Sequence, residues 1–159
     1  PLDQNRFIGY TFLLAQHILY GGKMTTSQLL VSVSFGDCDP AGIVFYPNIL
    51  RWADAAFHQM LRPFGGHAKL CEHLQSEGIG LVESSARFQS PLRDGDQLEI
   101  ETTITDWGRK TLTLSHIGRV GDRPAFEVKE VRCLFKATET GMVASEVSGL
   151  RARLQEGGS

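Results

Sequence analysis

Cysteine is scarce in this sequence, and its spacing excludes two ways of stabilising a small fold. The 159 residues contain three cysteines, Cys38, Cys71 and Cys133, with no CxxC pair among them. An odd and widely spaced set predicts neither a disulfide framework nor a zinc site. Free thiols suit a reducing compartment, so the expected location is cytoplasmic.

An excess of charge of one sign is also missing, as is any long hydrophobic run. The chain has 16 basic and 18 acidic side chains, which are interspersed and give a net charge of −2. This balance predicts no nucleic-acid partner. No apolar run approaches the roughly 20 residues that cross a bilayer, so no membrane partner is expected. With 42% hydrophobic residues, the chain suits one domain with its own core.

The apolar segment FIGYTFLLAQHILYGGKM at residues 7–24 has to be distinguished from a signal peptide. Gln16 and His17 interrupt it, only Arg6 lies ahead of it as a nearby basic residue, and no small-x-small cleavage site follows. These features argue against a signal peptide. The predicted organisation is an N-terminal extension at residues 1–23, one domain at residues 24–155 and a tail at residues 156–159.

Hydrophobic periodicity predicts a half-buried strand over residues 29–35 and then a long helix. Pro47 and Asn48 open the helix, and Pro63 with the following glycines ends it. One apolar stripe runs along it: Ile49, Trp52, Ala53, Ala56, Phe57, Met60 and Leu61. A second, weaker helix is predicted over residues 67–76. The long helix has about four turns, enough to form the centre of a small domain.

After Gly78 the period changes to two, which predicts four strands joined by turns. A change of apolar phase at Lys129 and Glu130 indicates a β-bulge in the last strand. The expected strands cover residues 80–88, 98–104, 111–116 and 125–137. Consecutive strands with short connections predict an antiparallel meander, with the helix on one face. The sheet edges would then need a partner chain.

The stretch FGDCDPAGIVFYPN at residues 35–48 places two acids, Asp37 and Asp39, between the first strand and the long helix. This pattern resembles the 4-hydroxybenzoyl-CoA thioesterase family of hotdog-fold acyl-CoA thioesterases, and the resemblance extends from about residue 29 to residue 147. It implies an α+β hotdog fold, in which a curled antiparallel sheet of about five strands wraps a long central helix. It also implies a homodimer as the working unit and a homotetramer beyond it.

An acid ahead of a helix start suits thioester hydrolysis on chemical grounds. The leaving thiol has a pKa near ~8.5, so the thiolate departs with little help from a general acid. The enzyme then needs a base or nucleophile and donors for the developing oxyanion. A carboxylate supplies the first, and the unpaired N–H groups of a helix N-terminus supply the second.

The resemblance assigns roles to individual residues. It implies that Asp39 is the catalytic residue, as a nucleophile or as the base that activates water, and that the backbone N–H near Tyr46 polarises the carbonyl. It also implies that Gly42 lets the backbone approach the substrate. Tyr46 replaces a histidine common in short-chain enzymes, which favours an aromatic acyl group. Asp37 is interpreted as a brace for the loop.

Three further residues are candidates for substrate binding. Arg109 and Lys110 resemble a basic run that contacts the nucleotide of coenzyme A, but a solvated hairpin tip explains them equally well. Asp54 matches an acid near the acyl pocket, and pairing with Arg51 or His58 at helical spacing is the simpler interpretation. A further histidine, at position 116, is interpreted as a core residue.

The sequence therefore predicts an acyl-CoA thioesterase that converts an aromatic (4-hydroxybenzoyl-like) or short-chain acyl-CoA into free acid and CoA. No metal and no cofactor are expected, because CoA is part of the substrate. The alternative is a non-catalytic hotdog module that binds acyl-CoA or a protein partner. An aspartyl-phosphate phosphatase is rejected because its fold needs alternating strands and helices.

Overall fold

A computed structural model describes residues 26–156, in which a six-stranded antiparallel sheet curls around one long helix. The helices are α1 (Tyr46–Leu61), α2 (Gly66–Leu74) and α3 (Ser148–Glu156). The strands are β1 (Thr26–Ser32), β2 (Gly78–Phe88), β3 (Gln97–Trp107), β4 (Thr111–Val120), β5 (Arg123–Thr138) and β6 (Gly141–Ser145). The predicted extension at residues 1–23 lies outside the described residues, and the predicted domain boundaries stay predictions.

The central helix α1 forms where its apolar stripe predicts it. Phe45 is its N-cap and Pro47 occupies the first turn, where a missing N–H breaks no helical hydrogen bond. A 3-10 turn over Arg62–Phe64 and the left-handed Gly65, at φ 90°, end the helical run. All seven residues of the predicted stripe are buried, so this prediction is confirmed.

The strand order is β1-β3-β4-β5-β2, with β6 on the end of β5. The predicted meander holds for β3, β4 and β5 but is wrong for β2, which pairs with β5 at the opposite side of the sheet. The connection between β2 and β3 crosses the end of the sheet, where Leu92 is buried and its carbonyl accepts the Val44 N–H at 2.8 Å. As a result, β1 occupies the edge beside β3.

The bulge predicted at Lys129 and Glu130 is absent, and the irregularities in the pairing of β5 lie at Val82 of β2 and at Ala125 of β5. Strand β5 pairs without interruption through Lys129 and Glu130, whereas Val82 is the extra residue that shifts the β2 register. Alternation along β5 simply continues through two charged residues, since Glu130 and Arg132 are both buried on the side that faces the helix. The apparent change of phase came from treating those two positions as exposed.

The uncovered half of the sheet lies at β2. Residues Leu81 and Phe88 pair with buried residues of β5 and therefore share the concave face with them, yet each is about half exposed. Helix α1 packs mainly on β1 and β3, so it leaves this side of the sheet open. None of the helices in the described part of the chain has the length and apolarity to cross a membrane.

Candidate active site

A tight turn holds Asp39 between β1 and α1. The Gly42 N–H donates to the Asp39 carbonyl at 2.9 Å, which closes a four-residue turn with Pro40 in its second position. The Ala41 N–H donates to Asp39 Oδ1 at 2.8 Å and fixes the carboxylate against the turn. Within residues 26–156, the other oxygen, Oδ2, receives no hydrogen bond. One carboxylate oxygen is thus held while the other is left for chemistry.

The neighbouring acid Asp37 has a structural role, as predicted. Its Oδ2 accepts hydrogen bonds from the Ser34 backbone N–H at 2.9 Å and the Ser34 hydroxyl at 2.7 Å. Its Oδ1 lies 3.6 Å from an Arg51 guanidinium nitrogen on α1. These contacts brace the loop, and they engage both carboxylate oxygens of Asp37.

The same loop closes on the first turn of α1. The Phe45 N–H and the Asn48 side-chain amide both donate to the Asp37 carbonyl at 2.9 Å, and Cys38 forms a β-bridge with Val44. The acid-bearing turn is therefore fastened directly to the helix entrance.

At this entrance, Tyr46 carries a backbone N–H that stays unused within residues 26–156. The Phe45 N–H is bound to Asp37, Pro47 has no N–H, and the Asn48 N–H donates to the Phe45 carbonyl at 2.9 Å. No acceptor for the Tyr46 N–H is found in the described part of the chain, as expected at the first helical position. The positive end of the helix dipole reinforces this donor.

An open depression of about 320 Å³ lies over the acid-bearing turn and the helix entrance. It is lined by Gly36, Asp37, Cys38, Asp39, Pro40, Phe45 and Asn48. Asp39 is only partly exposed there. Gly42 adopts a φ of 71°, so the turn itself requires glycine, and its carbonyl accepts from an Arg93 guanidinium N–H at 3.2 Å.

A second stripe, of mostly polar residues, follows one face of α1. It consists of Tyr46, Leu50, Asp54 and His58, which recur at a spacing of four. The Tyr46 ring contacts the Phe88 ring at a centroid distance of 6.4 Å. Asp54 lies about 12 Å along the helix from Tyr46, given the rise of 1.5 Å per residue.

Asp54 was expected to pair with Arg51 or His58, and its contacts match that expectation only for His58. Its Oδ2 lies 3.6 Å from His58 Nε2, whereas Arg51 turns towards Asp37 instead. The shorter contact comes from the sheet, where an Arg132 guanidinium N–H donates to Asp54 Oδ1 at 2.7 Å. The Asp54 side chain is 52% exposed, so Arg132 anchors one oxygen while the other lies beside His58 on the accessible side of the residue.

Behind Asp54 lies a buried network of charged and polar groups. Arg132 donates to Glu130 Oε2 from Nε at 2.8 Å and lies within 2.7 Å of it through Nη2. Glu130 Oε2 is also 3.3 Å from His116 Nε2, and His116 Nδ1 is hydrogen-bonded to the Thr102 hydroxyl at 2.8 Å. Burial opposes ionisation of Glu130, but the close contact with His116 and the charge of Arg132 outweigh it and lower its pKa.

His67, on α2, lies against the His58 end of the stripe. Its ring contacts the His58 ring at 5.3 Å, and its Nε2 accepts the Ile79 N–H at 3.0 Å. Burial lowers the pKa of His67, and the neighbouring His58 and Arg132 lower it further, against a small opposite effect of Asp54. A neutral ring is what the hydrogen bond from Ile79 requires.

Arg109 and Lys110 do not join the other predicted site residues within one chain. They follow β3, whose first residue Gln97 pairs with Ser32 near the Asp39 turn. Eleven strand residues later, the hairpin tip lies roughly 35 Å away. There Arg109 Nη1 is 3.5 Å from Glu146 Oε1, and both side chains are exposed.

Sequence reasoning missed Arg132 and Glu130, although a signal was present. Opposite charges at positions i and i+2 of a strand lie on the same face, so the alternation around them indicated a buried pair. His116 was correctly placed in the core, where it is fully buried. No group of three or more His, Cys, Asp or Glu side chains within residues 26–156 is arranged to hold a metal ion.

The hotdog architecture, with an acid and a free N–H at the entrance of its central helix, defines a class of thioester hydrolases. Residues 41–126, more than half of the chain, match the model of the thioesterase superfamily, beginning two residues after Asp39. The chain belongs to this superfamily. The predicted family, fold and enzyme class are thereby confirmed.

Named relatives act on aromatic acyl-CoA esters. The chain is 37% identical over 86 residues to 4-hydroxybenzoyl-CoA thioesterase of Pseudomonas sp. strain CBS-3, covering 53% of this chain and 61% of that protein. It is 32% identical over 107 residues to 1,4-dihydroxy-2-naphthoyl-CoA hydrolase of Thermosynechococcus vestitus, covering 65% and 72%. The chain thus spans less than two thirds of the Pseudomonas relative in that alignment.

Solved structures extend the similarity over nearly the whole described region. The structure of the Pseudomonas thioesterase superimposes with a TM-score of 0.72 at 29% identity, covering 82% of this chain and 99% of that one. A gentisyl-coenzyme A thioesterase superimposes with a TM-score of 0.64, also at 29% identity, covering 80% and 98%.

Proposed function

We propose that this protein hydrolyses the thioester of an aryl-CoA whose acyl ring carries a hydroxyl group. The observation that carries the proposal is the arrangement at the entrance of α1. There Asp39 keeps one carboxylate oxygen free on a turn fastened to the helix, and the Tyr46 N–H keeps its donor free at the first helical position. A carboxylate and an unpaired helix-terminal N–H are the two parts that thioester hydrolysis needs.

In the proposed reaction the thioester carbonyl oxygen accepts the Tyr46 N–H, which stabilises the charge that develops on it. The free oxygen of Asp39 either attacks the carbonyl carbon or removes a proton from an attacking water. Both routes break the C–S bond and release CoA as a thiolate, which takes up a proton from solvent. Attack by Asp39 forms a mixed anhydride between its carboxyl group and the acyl group, which one water then hydrolyses. In the other route, the proton that Asp39 takes from water passes to solvent. The net reaction consumes one water and yields the free acid, so no oxidant, metal or cofactor is required.

The acyl group would extend along the stripe from Tyr46 towards Asp54. The rise of about 12 Å between them is shortened by the backward tilt of helical side chains, which leaves room for an aromatic ring. A carboxylate can only accept hydrogen bonds, so it favours an acyl group that carries a donor. Each relative described above is named for a hydroxylated aryl ester, which supports the same class.

We propose a homodimer formed through β2, in line with the predicted partner. The open edge of β2 and the half-exposed Leu81 and Phe88 on its concave side are the features a second copy would cover. A second copy would also bring another Arg109–Lys110 hairpin tip to the molecule. A homotetramer and a cytoplasmic location stay predictions. The three free cysteines of the described residues suit a reducing compartment.

Thiol release from a panel of acyl-CoA esters tests the function, with wild type and Asp39→Asn compared. Turnover should fall by several orders of magnitude in Asp39→Asn while acyl-CoA binding persists, because the amide neither attacks nor takes up a proton. Asp94→Asn, an exposed aspartate in the loop after β2, is the matched control and should keep wild-type turnover. Undiminished hydrolysis by Asp39→Asn would refute the assignment of Asp39. Absence of hydrolysis in the wild type would leave the non-catalytic binding module.

A further inference from the structure

The buried network behind Asp54 is not used by the proposed hydrolysis at Asp39. Arg132 and Glu130 have side chains only 3% exposed, and His116 is fully buried. The Arg132 guanidinium also lies over the Phe57 ring, 4.1 Å from its centroid. The network runs from the inside of the sheet to α1, and Asp54 is its one member with an accessible side chain.

Stability alone is a poor explanation for this network. Burying an arginine and a glutamate has a large desolvation cost, and well-packed apolar residues of similar volume often give equal or greater stability. What apolar residues cannot do is direct a hydrogen bond at the Asp54 carboxylate. The functional end of the network is therefore the contact between Arg132 and Asp54.

We infer that Arg132 is a positioning residue that fixes the Asp54 carboxylate for recognition of a hydroxyl group on the acyl ring. This inference rests on the proposed function and adds the residue that sets its specificity. Arg132 occupies Asp54 Oδ1 at 2.7 Å, so Oδ2 is left as the acceptor that faces the substrate. His58 Nε2, at 3.6 Å, lies close enough to Oδ2 to confine it but too far for a direct hydrogen bond.

The geometry of Arg132 explains why arginine is needed. Its guanidinium is planar, so Nε can donate to Glu130 Oε2 while Nη2, 2.7 Å from the same oxygen, donates to Asp54 Oδ1. Glu130 in turn lies 3.3 Å from His116 in the core, so the fork is held from its buried side. Lysine would keep the charge but would lose the fork and its fixed direction.

The test compares Arg132→Lys with wild type on two esters that differ by one donor, 4-hydroxybenzoyl-CoA and benzoyl-CoA. We expect kcat/KM for the hydroxylated ester to fall by about tenfold or more, the effect of one charge-assisted hydrogen bond, and to change less than about threefold for benzoyl-CoA. Asp54→Asn should show the same selective loss. The double variant should be no worse than Asp54→Asn, because both changes remove one interaction.

Arg153→Lys is the matched control, since Arg153 contacts His73 on α2 and lies away from the stripe. It should leave the ratio between the two esters at its wild-type value. Thermal unfolding of every variant separates loss of fold from loss of recognition. An equal loss for both esters in Arg132→Lys, or additive losses in the double variant, would overturn the inference and leave a structural role only.

Calorimetry measures the binding of the same two esters to Asp39→Asn, which keeps this test separate from the proposed hydrolysis. If the wild type hydrolyses neither ester but Asp39→Asn prefers the hydroxylated one, and adding Arg132→Lys removes that preference, the hydrolytic function fails and the inference holds. If binding shows no preference between the esters, the inference fails whatever the outcome for hydrolysis.

Discussion

At the scale of single residues, the two acids of the motif show how hydrogen bonding separates a carboxylate with both oxygens in contact from one with an oxygen left open. Asp37 receives two donors from Ser34 and an ion pair from Arg51. Asp39 receives one donor, from Ala41, and keeps Oδ2 free within the described residues. The two side chains lie two positions apart and have the same chemistry, so their roles follow from the turn that holds each one.

His67 gives a residue-scale prediction about pH. Its pKa is lowered in the folded state, so the unfolded chain takes up a proton first as the pH falls below the ordinary value of about 6.5. The stabilising contribution of His67 is therefore complete above that value and is lost as the pH decreases towards the folded-state pKa. We expect the free energy of unfolding to fall between pH 7 and pH 5, and His67→Gln to flatten that dependence. Urea unfolding at both pH values measures it.

The control for this prediction is His73→Gln, because His73 is an exposed histidine on the same helix, α2. This variant should retain the wild-type pH dependence. In His67→Gln the side-chain oxygen can still accept the Ile79 N–H, so this hydrogen bond need not be lost along with the titrating ring. An unchanged slope in His67→Gln would show that the pH dependence comes from another group.

At the scale of elements, the helices and strands with regular apolar patterns were predictable, and those that depend on tertiary partners were not. The stripe of α1 was predicted in full because each of its residues packs into the core. The apolar pattern of β5 predicted a bulge that is absent from Lys129 and Glu130, because Glu130 and Arg132 pair with each other in the core and hydrophobicity alone does not reveal that pairing. The bulge at Val82 and the placement of β2 beside β5 depend on long-range pairing.

The candidate site also has features that local sequence predicts and features that depend on long-range contacts. The turn with Asp39 and Gly42 could be predicted from local sequence, since aspartate, proline and glycine at fixed offsets specify that turn. The contact between Asp54 and Arg132 joins residues 78 positions apart and could not be read from helical spacing. Strand β6 and helix α3 were also missed, because the first is short and exposed and the second has a weak apolar pattern.

Gly118 in β4 gives a prediction at this scale. A Cβ built there would collide with the ring of Phe126, which is fully buried on β5. The ring has no room to move in a close-packed core, so Gly118→Ala should destabilise the fold by about 1–3 kcal/mol. Urea unfolding measures the change. Gly78→Ala in β2 is the matched control, with its nearest neighbouring atom at 4.0 Å, and should have a much smaller effect. Similar losses in both variants would contradict the packing argument.

At the scale of the whole molecule, the predicted site residues of one chain do not lie together. The acid-bearing turn and the hairpin tip with Arg109 and Lys110 lie at opposite ends of β3, roughly 35 Å apart. If those basic side chains hold the nucleotide end of the substrate, they reach a given Asp39 from a second copy. The open edge of β2 provides the surface through which such a copy would pair.

Mixed dimers test this arrangement directly. Asp39→Asn and the double variant Arg109→Ala/Lys110→Ala are each assayed at low substrate concentration, alone and after being unfolded and refolded together. In a shared site, each mixed dimer carries one site with both defects and one with neither. Turnover should therefore rise to about a quarter of the wild-type value, because about half of the dimers are mixed and half of their sites are intact. Each variant alone should stay well below that level.

Two valine substitutions serve as controls for this experiment, because both positions are exposed on strands but only one lies on the proposed interface. Val82→Lys, on the β2 edge, would place like charges on both sides of the proposed interface, so adding it to both partners should abolish the recovery and shift the mass towards the 17.6 kDa monomer. Val143→Lys, on β6, should leave recovery and mass unchanged. If the whole site lies within one chain, the mixture should show no recovery of turnover, even when light scattering shows that dimers have formed.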